Sequence, residues 1–224
     1  MKHLDLVVFD IAGTTVEDRG QVPAAFKAAF EEHGIVVTPD QLSGVRGSSK
    51  KEAVRQLVPA GPGREPVAEA VYDSFCGRLA RLYRDEGVQP VAGVLDVFSW
   101  LKQNGVRLAL NTGFDRSITE LLISTLGWAS QVNAVVCGDD VREGRPAPYL
   151  IFHAMESTGV SSVHRVVTVG DTAVDLRAGY NAGVRCNIGV LSGAHTREQL
   201  EREPHTQLLS SVAELPDTVS SIFS

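Results

Sequence analysis

The chain has 224 residues, 43% apolar and 21% charged, which supplies ample material for a buried sheet and excludes a disordered polyampholyte. A net charge of −6 argues against nucleic-acid or anionic-membrane partners, which reward a basic face, and favours a small ligand. Cys76, Cys137 and Cys186 form no C-x-x-C pair. The first residues, with Lys2 and His3, carry no long apolar leader core, and no membrane-length apolar run occurs, so a cytoplasmic protein is expected.

In chain order, residues 4–9 are a short apolar run ending at Asp10 and Gly13, the pattern of a buried parallel strand and a turn. Residues 17–88 predict helices only: 23–33 stopped by Gly34, a short one opened by Thr38 and Pro39, then 49–58, and a long amphipathic one over 65–86. Val67, Val71, Phe75 and Leu82 form the apolar stripe of that long helix, with Cys76 beside it as packing. Ser49 with Glu52 predicts a capping box that sets Lys50 at the first helical position. Strand patterns return at 106–110, 134–137 and 166–169, each followed by polar residues and glycine, with helices predicted at 92–104, 115–126, 147–158 and 173–182. The alternation implies an α/β fold, a Rossmann-like doubly wound parallel sheet whose ligands bind beyond the carboxyl ends of the strands. The expected division is a core of 1–16 and 89–224 with an inserted all-helical cap of 17–88.

Four pieces end those strands: Asp10-Ile11-Ala12-Gly13-Thr14-Thr15, Asn111-Thr112-Gly113, Arg145-Pro146, and Gly170-Asp171 followed by Asp175. Singly, each has a structural reading: the aspartates as turn caps or helix starts, Thr112 as a turn hydroxyl, Arg145 as a surface ion pair. Together and in this order they resemble the haloacid dehalogenase superfamily of aspartate-nucleophile hydrolases. The resemblance implies that Asp10 attacks phosphorus to form an aspartyl-phosphate. It further implies a Mg2+ ion held by Asp10, Asp171 and the Ala12 carbonyl, with Asp175 in support, and a phosphoryl group bound by Thr112, the Gly113 amide and Arg145.

Two departures narrow this reading. The superfamily's usual first motif is D-x-D-x-T, whose second aspartate, the acid for an alkoxide leaving group, is Ala12 here, and its usual third-motif lysine is Arg145. Both fit the phosphonatase (phosphonoacetaldehyde hydrolase) branch, whose D-x-A-G-T-T-V motif is matched by Asp10 to Val16. That branch carries a cap lysine forming a Schiff base, in a G-x-x-K segment followed by V-R-x-L. Gly47 to Lys50 followed by Val54 to Leu57 puts Lys50 there. The helix dipole at Lys50, with Lys51 and Arg46 nearby, disfavours its ammonium form. Substrate-facing positions differ, with Ala53, Arg46, Gln21 and Phe114 in place of the branch's histidine, methionine, cysteine and tyrosine. Arg46 is thus a candidate contact for an extra anionic group such as a carboxylate.

The expected activity is C–P cleavage of a small carbonyl phosphonate, with a phosphatase of a small phosphorylated metabolite (phosphoglycolate phosphatase-like) and a non-catalytic phosphate-binding protein as the alternatives. Histidines 3, 33, 153, 164, 195 and 205 show no ligand spacing. A homodimer is left open.

Overall fold

The computed structural model describes residues 4–223, so Lys2 and His3 lie outside the described residues. Strand β1 (Leu6–Asp10) is followed by four helices, α1 (Gln21–Glu32), α2 (Pro39–Gly44), α3 (Lys50–Leu57) and α4 (Arg64–Glu86). The chain then alternates through α5 (Val94–Gln103), β2 (Arg107–Asn111), α6 (Arg116–Leu126), β3 (Ala134–Val136), α7 (Tyr149–Thr158), β4 (Val166–Gly170), α8 (Ala173–Ala182) and β5 (Cys186–Val190). It ends with α9 (Arg197–Leu200), β6 (Gln207–Leu209) and α10 (Leu215–Ile222). The six strands form one parallel sheet in the order β3-β2-β1-β4-β5-β6. No described helix is long and apolar enough to cross a membrane.

Strand periodicity sorts the core into two layers. Val7, Phe9, Leu108, Leu110, Val167 and Val169 share one cluster with Val97, Phe98 and Leu101 of α5, whereas Leu6, Val8, Ala109 and Val166 share another with Leu150 and Ile151 of α7 and Ala178 of α8. Helices therefore cover both faces, and each fully buried aliphatic side chain contributes roughly 1.5–3 kcal/mol. Register levels the strand ends: Phe9 pairs with Leu110 and Val169, and Asp10 with Asn111. All polar residues delivered at those ends face one rim.

The chain leaves this rim at Val16 and returns at Pro90, where Glu17 N–H donates to Gln89 O (2.9 Å) and Val91 N–H to Thr15 O (2.9 Å). Between those points α1 packs on α4, with the Phe26 and Phe75 rings 4.2 Å apart. Tyr72 of α4 donates to Asp115 (2.6 Å), which also caps α6, so the long helix is tied to the sheet-bearing part.

Three expectations need correction. Ser49 precedes α3 without a side-chain cap, and Glu52 is exposed; this turn is shaped instead by its seat on Gly113, to whose carbonyl Lys50 N–H donates (3.0 Å). Val67 is 38% exposed; the buried stripe of α4 is Ala68, Val71, Phe75, Leu79 and Tyr83, with Leu82 half-buried. Strands β5 and β6 extend the sheet beyond residue 182, where no strand was expected, because Asn187 and Gly189 interrupt the apolar run of β5.

Candidate active site

Asp10 ends β1 with its side chain only 8% exposed. The turn after it is tight: Val16 N–H and Thr15 N–H both donate to Ile11 O. Gly13 sits at φ +91°, where a side chain would also run into Asp171, so glycine alone suits this position. Across the strand order, Asp171 follows β4 and is buried. Its carboxylate accepts from Thr14 Oγ1 (3.2 Å) and Ala194 N–H (2.6 Å).

Asp175 lies one turn into α8, where it forms a capping box with Thr172. Its other oxygen pairs with Arg145 Nη1, while Arg145 Nη2 pairs with Asp10 Oδ1 (2.8 Å). Arg145 follows β3 on the loop carrying a cis Arg145–Pro146 bond and is 5% exposed. Its guanidinium bridges two carboxylates, but its buried Nε–H has no partner among the described residues. Thr112, after β2, accepts from Phe114 N–H at Oγ1 (3.1 Å), which leaves its hydroxyl proton free to point elsewhere.

Oxygens of Asp10, Asp171 and Asp175 all lie within 4.8 Å of one another. Burial pushes the Asp10 carboxyl up to about 6, against the pull of Arg145. Burial, followed by the charges of Asp10 and Asp175, holds Asp171 well above the usual carboxylate range. Crowded hard anionic oxygens that resist joint ionisation suit a divalent cation such as Mg2+, which would relieve the repulsion. The donor set fits.

Above this rim, α1, α2 and α3 close a cavity of about 70 Å³. Asp10, Ala12, Thr112, Gly113, Arg145 and Asp171 line it from below; Val22, Phe26, Val45, Arg46 and Lys50 line it from above. Lys50 Nζ donates to Ser48 O (3.3 Å) and lies 5.3 Å from the Phe114 ring centroid. Burial, then the Arg145 charge, pushes the Lys50 amine down to about 8. Asp10, Ala12, Arg46, Lys50, Thr112, Gly113, Arg145 and Asp171 thus line one cavity, whereas Ala53 does not, and Asp175 stands behind it holding Arg145.

Sequence reasoning missed the loop after β5. Ser192 Oγ donates to Gly13 O (2.8 Å), Ala194 N–H to Asp171, and Gly193 lies so close to Asp171 that no side chain fits. His195 Nδ1 accepts from Ala173 N–H (3.0 Å) at the start of α8, so it braces this corner. The sequence signal is weak here, because Asn187 and Gly189 break the apolar run that precedes the small residues 192–194. Gln21, by contrast, bonds to Glu86 Oε2 (2.9 Å) at the far end of α4 and does not line the cavity.

Residues 7–188 match the family model described as haloacid dehalogenase-like hydrolase. The chain is 32% identical over 199 residues to a phosphonoacetaldehyde hydrolase of Paraburkholderia phytofirmans, covering 82% of this chain and 73% of that one. A phosphonoacetaldehyde hydrolase-like protein from Oleispira antarctica has a similar structure, with TM-score 0.85 and 22% identity over 98% of this chain and 92% of that one. A predicted phosphoglycolate phosphatase from Haemophilus somnus is also similar, with TM-score 0.82 and 16% identity over 98% and 99%. Together with the order of its motifs, these likenesses define the chain: it belongs to the haloacid dehalogenase-like hydrolases, in their phosphonatase-like branch, and is an enzyme.

Proposed function

We propose that this hydrolase cleaves the C–P bond of a small carbonyl phosphonate, with Asp10 as nucleophile and Lys50 as the amine that activates the carbonyl. The observation that carries the reading is the single cavity holding Asp10 below and a lowered-pKa lysine above, with the methyl of Ala12 where an ester hydrolase needs an acid. Helices α1 to α4, within residues 17–88, act as the cap over a core of 1–16 and 89–224.

Thr112 Oγ–H, the Gly113 amide and the unpartnered Nε–H of Arg145 would donate to the phosphoryl oxygens. Asp10, Asp171 and the Ala12 carbonyl would hold Mg2+, with Asp175 fixing Arg145 from behind. When bound, the metal neutralises charge between the carboxylate and the phosphoryl group. The Lys50 amine condenses with the carbonyl, and the iminium withdraws the electron pair of the C–P bond as phosphorus passes to Asp10. The carbon group leaves as an enamine, so no alkoxide needs a proton and Ala12 suffices. Water then hydrolyses the aspartyl-phosphate and the imine.

With a pKa of about 8, roughly one Lys50 amine in ten is neutral at pH 7, against fewer than about one in a thousand for an exposed lysine. Borohydride trapping with phosphonoacetaldehyde is expected to label Lys50 at a rate that rises with pH to a plateau above about 8, read by peptide mass spectrometry. Label elsewhere, or none from a phosphonate that is turned over, defeats the Schiff-base reading.

Ala12→Asp tests the leaving-group argument separately. The new carboxyl would line the cavity beside Asp10 and supply the missing acid, so hydrolysis of phosphate esters such as phosphoglycolate is expected to rise about 10- to 100-fold while the rate with carbonyl phosphonates falls. An unchanged ratio of ester to phosphonate rates would mean that position 12 does not set the choice.

A further inference from the structure

The carbonyl carbon facing Lys50 bears two substituents. One is the carbon joined to phosphorus, which must turn down toward Asp10. The other turns up toward the cap, where an aldehyde presents only hydrogen.

That upper wall is not inert. Val22, Phe26, Leu42 and Val45 make it apolar, and Arg46 stands among them, half-buried, on the turn that leads into α3 and four residues before Lys50. Among the described residues the Arg46 guanidinium makes no hydrogen bond or ion pair. The other cations of the cavity are engaged: Arg145 with Asp10 and Asp175, and Lys50 with the Ser48 carbonyl. Among the described residues that line the cavity, the one acid on the cap side is Asp18, which is exposed and accepts from Gly20 N–H (3.0 Å). A partly desolvated arginine in an apolar wall has an unmet demand for a planar anion, which a carboxylate answers with two parallel hydrogen bonds.

Resting on the carbonyl-phosphonate reading above, we infer that Arg46 binds a carboxylate attached to the substrate's carbonyl carbon, making the substrate class 2-oxo acids that carry a phosphonate on carbon 3. The steps balance. Lys50 displaces the ketone oxygen as water; the C–P bond breaks, its electron pair going to the enamine and phosphorus to Asp10. The enamine carbon takes a proton, one water releases the 2-oxo acid from Lys50, and another releases phosphate from Asp10. Net, one water converts a 3-phosphono-2-oxo acid into a 2-oxo acid and phosphate.

The test compares 3-phosphonopyruvate with phosphonoacetaldehyde on the Mg2+-loaded enzyme. It also compares borohydride trapping of pyruvate with that of acetaldehyde at Lys50, which requires no turnover. Wild type is expected to favour the carboxylated member of each pair. Arg46→Gln is expected to cut that preference by about 10- to 100-fold, and Arg46→Lys to restore part of it. If the aldehyde is cleaved but the preference is absent, or survives Arg46→Gln unchanged, the carboxylate site is overturned while the phosphonatase reading stands. If neither phosphonate is cleaved and neither carbonyl labels Lys50, both fall.

Discussion

Replacing Asp10 by asparagine is expected to abolish turnover, by about 10⁴-fold or more, and at the same time to make the metal-free protein harder to melt at pH 7. The first effect follows from losing the only oxygen nucleophile at the end of β1. The second follows from the company the carboxylate keeps, with Asp171 and Asp175 within 4.8 Å and its own pKa pushed up to about 6 by burial. An acid whose folded pKa lies above its unfolded value stabilises the fold least when ionised. Stability is therefore lost as pH rises from about 4 to about 6 and stays lost at pH 7. Ionisation of Asp10 at that pH costs on the order of 1–3 kcal/mol. Asparagine removes the charge and can still accept from Arg145, so a gain of about 1–2 kcal/mol is expected, or a few degrees in Tm. Added Mg2+ is expected to raise the Tm of the wild type more than that of the variant. A variant that melts below wild type without metal, or that keeps measurable single-turnover phosphoryl transfer, contradicts this account.

The core and the rim of polar strand ends were legible for one reason: a parallel strand buried on both faces must be a short apolar run, and the chain must then turn in polar residues; which of those residues form a site came from the order of the motifs and the resemblance they carry. Residues 4–9, 106–110, 134–137 and 166–169 obey that grammar, and register brings their ends level. Lys50 stands out only through the resemblance of its G-x-x-K segment to that of the phosphonatase branch, and the structure places it in the wall of the cavity. What lay beyond reach was tertiary in origin. Ser49 and Glu52 have the residue types of a capping box, yet the docking of their turn on Gly113 decides its geometry. Position along α4 does not say which face meets α1, so Val67 falls on the apolar stripe of the sequence and yet is exposed. The loop from Ser192 to His195 holds Asp171 through a backbone amide and a glycine-sized gap, features that residue type does not advertise.

The docking of Ser48 and Ser49 on Gly113 leads to the other large expected effect, from a change of one methyl group. A Cβ at Gly113 would lie inside contact distance of the Ser48 carbonyl, 2.9 Å from its carbon, and 3.3 Å from Ser49 N. Backbone atoms cannot swing aside as a side-chain tip can. The φ of Gly113 is not in the left-handed region, so alanine suits the core backbone and the phosphoryl-facing amide is retained. The clash therefore falls on the turn that carries Lys50, whose own N–H donates to the Gly113 carbonyl (3.0 Å). A shift of about 1 Å in a reacting group costs on the order of 100-fold in rate. Gly113→Ala is accordingly expected to lower kcat with a carbonyl phosphonate, and the borohydride labelling rate of Lys50, by about 10²- to 10³-fold. Thermal stability should fall by about 1–3 kcal/mol, the ordinary cost of forcing a methyl group against packed backbone, far too little to unfold the core. Asp10 should still take up beryllofluoride with Mg2+, since its cradle lies wholly on the core side. Labelling of Lys50 at the wild-type rate in this variant would mean that the seat on Gly113 does not position the amine, whereas loss of beryllofluoride binding would assign the damage to the phosphate cradle.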